Sequence, residues 1–583
     1  MTHRTKFLWL ACVPFLFAGC TTRQNPPKEV LVRHHFAGLG MIAASPDLAQ
    51  AREVFRLPES QAVLTDVARR LAVDLPTWFG GARLGTNDAG PLVPVVRSLL
   101  DAESYLEVRT GGGHVTGWAL SVRLEPAAAA IVGSELRRVL RAPAAAKPGE
   151  AFEMAVAPGK GAARFAVDGG WASIGNGAGA FDDFRAAIRS SGRPGPASAT
   201  NAFLQVEANI AGIAGMLNLR EKPPGPVDQW PLLQLSVEPR NGRFRTLATM
   251  AFARPLNLPH DAWQLPTNVL QDPLVGFTAV QGADTWIGRL GLFAELGVPE
   301  WPKQLFLWSM AGDPWRQYFA APIQAPTNLM AQVSLTLPVR AVTNMLWSGS
   351  VFSLRITNQA TRVEMRGLPY FAPFMEAQKV GDHEQLFGGL FPLPTGPGRP
   401  APEGLLSRIA GRTNLVLYDW ETTGRRLFRT NAPNTAGPRV STNDVGRLIQ
   451  FTHLMQFTRL MLSSDGLHLP TSDSGGLYVP GVRWVEAALP LLGDTVTEVT
   501  QTGPAQLSLV RQSATGFNSM ELLYLLRWIE NPGFPGWQEP PPPQTRTFPP
   551  KSGASATPGV SGTSTPSPAV RTFPAPTTAS PKK

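Results

Sequence analysis

Apolar and polar positions along this chain follow two rhythms, and the second half states them in nearly the same order as the first. Apolar residues three and four apart mark helices, and apolar residues at alternate positions mark strands. In the first half, Gly40-Met41-Ile42-Ala43-Ala44 reads as an apolar strand. Ser45 and Pro46 then supply an N-cap and a first helical position, and Val63, Val67 and Leu71 share one face of a further helix. Strands are predicted around Tyr105–Arg109 and Trp118–Leu124, followed by a helix near Ala127–Leu140. Asp168-Gly169-Gly170 turns a hairpin between Arg164–Val167 and Trp171–Ile174. Phe181–Ile188 reads as a helix and Phe203–Glu207 as a strand. A last hairpin has Asn241-Gly242 at its tip, two residues that tolerate positive φ and favour a type I′ turn. Its arms alternate, with Leu233, Leu235 and Val237 facing Phe244, Thr246 and Ala248.

The second half opens with a strand at Leu274–Val280 and a helix capped by Asp284, bearing Ile287, Leu290 and Ala294 and stopping at Gly297. Strands follow at Leu305–Met310 and Gln317–Ala321, and Thr327 or Asn328 starts a helix running to Trp347. A hairpin joins Leu354–Thr357 to Arg362–Arg366, and a helix is predicted near Phe371–Gln378. Asn414–Asp419 is the matching strand, and Gln506–Arg511 closes the half by pairing with Met520–Leu525. Phe391–Glu403, rich in Pro and Gly, reads as a loop. Thr442–Leu462 carries apolar residues on most helical faces, which predicts a buried helix. The predicted fold class is α+β: two similarly ordered halves, each a mainly antiparallel sheet with helices on one face. Their bounds are residues 30–260 and 261–537.

The N-terminus differs from everything after it. Arg4 and Lys6 precede an apolar run, Phe7–Ala18, broken only by Pro14 and closed by Gly19-Cys20. Such a run suits export and is shorter than the roughly 20 residues a bilayer span needs. Leu16-Phe17-Ala18-Gly19-Cys20 resembles the lipobox of bacterial lipoproteins, with Phe17 where Leu, Val or Ile is usual. The resemblance implies cleavage of residues 1–19 and a diacylglycerol thioether on Cys20. Residues 20–29 are then anchor and linker. Cys12 would leave with the leader, so no disulfide, thiolate metal site or cysteine nucleophile is expected in the folded body.

Composition changes again at the far end. From Gln538 to Lys583, Pro, Ser, Thr, Gly and Ala predominate, a mixture that buries too little apolar surface to offset its chain entropy. Residues 538–583 are therefore expected to be disordered, and Arg546-Thr547-Phe548-Pro549 recurs there as Arg571-Thr572-Phe573-Pro574. The formal charge of +10 suggests nucleic acid until it is located. Two of those charges lie in the leader and a net four in the tail, which leaves the body close to neutral. With no dense Lys/Arg run, a nucleic-acid partner is not expected.

Candidate chemistry is sparse. Ser472-Asp473-Ser474-Gly475-Gly476 resembles the Gly-Asp-Ser-Gly-Gly loop of chymotrypsin-like proteases, but the histidine context that family needs is absent, so it reads as a polar turn. Asp382-His383-Glu384 places three potential ligands in a row, where neighbours rarely converge on one ion, and reads as an exposed turn. His34-His35 reads as solvated. Gly159-Lys160-Gly161 and Gly111-Gly112-Gly113 lack the context of a phosphate loop. Trp286, Trp301, Trp308, Trp315 and Trp347 suit a core, or else a sugar- or lipid-binding groove. No catalytic, cofactor or metal residue is nominated, and Cys20 is the one site residue. The expected protein is a lipid-anchored envelope lipoprotein, placed at the outer membrane facing the periplasm. It is non-enzymatic and binds the membrane through Cys20 and an envelope protein or polymer as partner. The alternatives are a ligand-binding lipoprotein with a groove between its halves and, behind that, a hydrolase.

Overall fold

The computed structural model describes residues 30–535, leaving aside 79–82, 112–113, 141–151, 156–161, 178, 196–201, 217–229, 285–300, 311–315, 332–343, 348–349, 354, 360–361, 367–371, 394–398, 424–478 and 532. The leader with Cys20, the linker, the tail, the apolar stretch 442–462, Gly159-Lys160-Gly161, Trp286, Trp315 and Ser472–Gly476 all lie outside the described residues.

The strands, in chain order, are β1 (Val30–Phe36), β2 (Ser104–Gly111), β3 (His114–Arg123), β4 (Phe152–Ala155), β5 (Ala162–Asp168), β6 (Trp171–Gly177), β7 (Leu204–Asn209), β8 (Leu232–Arg240) and β9 (Arg243–Ala251). They continue with β10 (Gln271–Asp272), β11 (Leu274–Gln281), β12 (Gln304–Met310), β13 (Arg316–Pro322), β14 (Asn344–Trp347), β15 (Ser350–Ser353), β16 (Arg355–Gln359) and β17 (Arg362–Arg366). The last six are β18 (Phe374–Val380), β19 (His383–Gly389), β20 (Arg399–Pro400), β21 (Leu415–Thr422), β22 (Asp494–Gly503) and β23 (Gln506–Ser513). Nineteen of them form one sheet, and β10–β20 and β14–β15 pair separately. From one edge to the other the sheet runs β4-β5-β6-β3-β2-β1-β7-β8-β9, then β23-β22-β21-β11-β12-β13-β19-β18-β17-β16. Every pairing is antiparallel, as the short connections predict. The two chain halves meet where β9 lies against β23, from Gln506 beside Ala251 to Ser513 beside Phe244.

Alternation along each strand gives the sheet two faces. On one, Val32, Leu106, Val108, Trp118, Val206 and Leu235 pack against helices Pro58–Trp78, Leu92–Asp101 and Pro126–Leu140, through Leu71, Val96 and Val132 among others. On the opposite face, Tyr105, Ala119, Ala166 and Trp171 receive Phe181, Phe184 and Ile188 of the Ala180–Ser191 helix. Helices therefore cover both faces of the first half, where one was expected. In the second half that opposite face holds an aromatic core of Phe277, Phe306, Trp308, Tyr318, Phe387 and Tyr418, closed by Leu405 and Ile409 of the Glu403–Ala410 helix. Trp308 stacks on Phe387 with centroids 5.9 Å apart.

Several elements differ from their prediction. Gly40–Ala44 is a helix, and the first strand is β1 instead. Phe374–Val380 is a strand, because it pairs on both sides, with β17 and β19. Asn344–Trp347 is a strand where a helix was expected to end. Ser519–Glu530 is a helix, and β22 takes the place beside β23 that Met520–Leu525 was expected to fill. The Asn241-Gly242 turn has φ of 52° and 82°, as its residues require.

Candidate functional site

Two constellations of polar side chains stand out, one on each face of the sheet. The first is a chain of ion pairs laid across three strands and onto a helix. Arg33 on β1 donates to Glu207 on β7 at 3.1 Å and to Glu107 on β2 at 3.0 Å. Glu107 also accepts from Arg109 at 2.6 Å, and Arg109 reaches Asp183 in the first turn of the Ala180–Ser191 helix at 2.7 Å. Burial works against the charge of Arg109, and its bonds to Glu107 and Asp183 more than offset this, so its pKa is raised. Only Glu107, with 4% of its side chain exposed, is deeply buried; Arg33 and Glu207 each keep 28%. Next to this chain His35 stacks on Tyr105 at 4.3 Å and sets Nε2 3.0 Å from Glu103. That bond is the largest influence on Glu103, whose pKa is lowered, with Arg123 helping and burial opposing.

The second constellation lies on the other face, at the join between the halves. Reading across β9, β23, β22, β21 and β11, one row of directly paired residues runs Thr246, Arg511, Thr497, Asp419, Thr278. Arg511 donates through Nε to Thr497 at 2.8 Å and through Nη1 to Glu521 at 2.5 Å. Thr278 donates to Asp419 at 2.6 Å. Glu421, two residues along β21 on the same face, accepts from the backbone N–H and the hydroxyl of Ser519, both at 2.6 Å. Thr423 and Thr495 share a hydrogen bond of 2.6 Å. Asn518 and Glu521 complete a capping box at the start of the Ser519–Glu530 helix. Arg511 and Glu521 are 5% and 4% exposed. Burial pushes the Glu521 carboxyl up to about 7, against the pull of Arg511. This arrangement clamps the N-terminus of that helix to the sheet and holds a carboxyl near neutrality.

Of the residues singled out by sequence, His34 and His35 are both largely buried, contrary to the solvated reading. Their strand is central, flanked by β2 and β7, so each imidazole points into a packed layer. His34 is held down to about 4 by burial, with His35 adding repulsion. Asp382 sits in the β18–β19 turn and His383 in β19. Among the described residues no group of three or more His, Cys, Asp or Glu is placed to hold a metal ion, and no helix is long and apolar enough to cross a membrane. Trp308 belongs to the second-half core. Sequence reasoning missed Arg33, Glu107, Glu207, Arg511, Glu421 and Glu521. Only the Asn518-x-x-Glu521 spacing advertised any of them, as a helix start.

Compared with known proteins, the chain matches no family model, no curated protein and no solved structure.

Proposed function

We propose that this chain is an exported, lipid-anchored protein of the bacterial envelope, at the outer membrane facing the periplasm, that serves as a non-enzymatic scaffold or partner-binding lipoprotein. The observation that carries this reading is Leu16-Phe17-Ala18-Gly19-Cys20 at the end of a short apolar run. The polar constellations are consistent with it: Arg33, Arg109 and Arg511 are each engaged by a carboxylate, which suits holding parts together more than turning over a substrate. The tail from Gln538 to Lys583 is, on this reading, a disordered tether. Growth with labelled fatty acid should label the wild type and leave Cys20→Ala unlabelled; equal labelling would sink the anchor.

The proposal extends to the fold: the halves are a duplication. Three features support it. Counted outward from the join, nine strands of each half follow the same order, β9-β8-β7-β1-β2-β3-β6-β5-β4 against β23-β22-β21-β11-β12-β13-β19-β18-β17, and β16 is added at the edge of the second half. The first strand of each shifts register against its neighbour at one place, between Val30 and Val32 and between Leu274 and Gly276. From that bulge, paired rows read Glu207, Arg33, Glu107, Ala119, Gly175 in one half and Trp420, Phe277, Trp308, Tyr318, Gly389 in the other. Both rows end on a glycine pressed against a carbonyl: a Cβ on Gly175 would stand 2.7 Å from Trp118 O, and one on Gly389 2.8 Å from Gln317 O. Superposition of the two halves from an experimental structure tests the duplication, and unrelated helix placements on matching strands would refute it.

A further inference from the structure

We infer that residues 21–29, the segment between the lipid-bearing cysteine and β1, dock along the charged row of the first half. The argument starts in the second half, where the chain that leads into the first strand lies on the sheet. Trp263, Val269 and Leu270 are buried in one cluster with Phe277 and Trp308. Two buried glutamines hold the approach to that segment. Gln281 donates to the Asp261 carbonyl, and Gln304 donates to the Ala262 carbonyl and accepts from the Gln264 N–H. The segment then enters β11 at Leu274, where the register shift lies.

In the first half the same place in the chain is occupied by Thr21-Thr22-Arg23-Gln24-Asn25-Pro26-Pro27-Lys28-Glu29, which enters β1 at the matching shift. The floor it meets differs in kind. Where the second half sets Trp420, Phe277 and Trp308 side by side, the first sets Glu207, Arg33 and Glu107. The two incoming segments differ in the same sense: Trp263-Gln264-Leu265-Pro266 is apolar in its buried positions, and residues 21–29 hold no apolar side chain except two prolines. Polarity of floor and segment thus match in both halves. Charge matches as well. The ion chain carries three carboxylates, Glu207, Glu107 and Asp183, against two arginines, and the segment carries Arg23 and Lys28 against Glu29. Asp183 keeps 60% of its side chain exposed and Glu207 28%, so both remain reachable. Length suffices: nine extended residues span about 30 Å, more than the roughly 23 Å of a seven-residue strand. Docking would bring Cys20 against the first half and hold that face of the sheet toward the bilayer. This orientation rests on the anchor reading; the docking itself does not.

The test uses the protein expressed from its full sequence with a benzophenone amino acid in place of Gln24, irradiated and mapped by peptide mass spectrometry, in the wild type and in Cys20→Ala. Docking gives intramolecular links to residues 103–109, 180–185 and 203–209 in both proteins. Arg23→Glu combined with Lys28→Glu, changes outside the folded body, should lower that yield about fivefold, the scale that two half-exposed charge pairs allow. Links confined to other parts of the body, or to lipid alone, would overturn the inference. If fatty-acid label is retained while these links are missing, docking fails and anchoring stands. If the links form while the wild type takes up no label, docking stands and anchoring fails.

Discussion

Replacing Arg511 by methionine should destabilise the protein by an amount that depends on pH. In the native structure Arg511 is enclosed with Glu521, Thr497 and the carboxylates of the β21 layer. Removing one member of such a pair leaves a buried charge uncompensated, at a cost of about 3–5 kcal/mol. That cost exists only while Glu521 is ionised. Its carboxyl is raised from 4.5 to about 7, chiefly by burial. The stabilisation from its bound proton is complete below the unfolded value of 4.5 and is lost as pH rises through about 7. Near pH 5 the carboxyl is protonated in wild type and variant alike, and losing Arg511 removes hydrogen bonds worth about 1–3 kcal/mol. Near pH 8.5 the wild-type carboxyl is ionised against Arg511, whereas the variant must bury that charge unpaired or hold its proton against the solution, and either adds to the loss. Urea unfolding of Arg511→Met and wild type at pH 5 and pH 8.5 should therefore show a larger gap at the higher pH. A gap of equal size at both would refute the account of Glu521. Arg511→Met with Glu521→Leu should recover most of the loss at pH 8.5, since an apolar pair of similar volume leaves no charge behind.

Lowering the pH from 7 to 5 should cost stability at His34, against the gain that proton uptake brings at Glu521 over the same range. The His34 pKa is depressed to about 4, so the unfolded chain takes up a proton below 6.5 that the folded one refuses until about 4. At pH 5 the deficit is about 2 kcal/mol at 1.36 kcal/mol per unit, and thermal melts of His34→Leu should lack that share of the acid sensitivity. Trp308→Ala should cost about 3–5 kcal/mol, as for a fully buried aromatic, read as a lowered urea midpoint; a cost below 1 kcal/mol would return Trp308 to the groove reading. Gly175→Ala and Gly389→Ala should each cost about 1–3 kcal/mol of overpacking, because each Cβ meets a backbone carbonyl that cannot swing away. A large effect at one glycine and none at the other would count against their equivalence.

Much of the sheet is legible in the sequence because its strands carry their own signals. The Asn241-Gly242 tip and the alternation of Leu233, Leu235 and Val237 identify β8 and β9 without further information. Short apolar runs are less decisive. Gly40–Ala44 has neither β-branched enrichment nor alternation beyond Ile42, and a run of five does not separate strand from helix. Met520–Leu525 looks like a strand by its apolar content, although Asn518 and Glu521 hold the spacing of a capping box, a local signal that outranks an apolar run. The β22 segment Thr495-Val496-Thr497-Glu498-Val499-Thr500 is rich in β-branched residues, a strand signal that the expected pairing of Gln506–Arg511 with Met520–Leu525 passed over. Beyond that capping box, the sites are not legible in the sequence. Thr246, Arg511, Thr497, Asp419 and Thr278 come from five strands spread across the chain, and only the pairing order puts them in one row.

Under the proposed duplication, every row of the sheet has a counterpart, and the two polar constellations then occupy opposite faces of opposite halves. The row Thr278, Asp419, Thr497, Arg511, Thr246 has as its counterpart His34, Val206, Leu235, Ala248, Leu509. On the other face the charged row Glu207, Arg33, Glu107 answers to Trp420, Phe277, Trp308. Apart from His34, the counterpart row fills the same layer with Val, Leu and Ala. A polar row there gains nothing in core stability, and each of its groups would cost about 1–3 kcal/mol if left unpaired. Thr246 meets that condition already: its hydroxyl is buried beside Arg511 with no partner among the described residues. What the polar residues of the sheet do supply is direction, since Arg511 holds Glu521 and Glu421 holds Ser519, which sets the Ser519–Glu530 helix in one place and one orientation. At the ends of the ion chain of the first half Glu207 and Asp183 stay partly solvated, while Glu107 between them is buried, and partial solvation is the condition for exchanging an internal partner for an external one at little cost. A scaffold built from two like units acts as more than a repeat only where the units differ, and they differ most at these two rows. Function is therefore to be sought by perturbing Arg33 and Glu207 on one face and Arg511 on the other, ahead of the aromatic core of the second half.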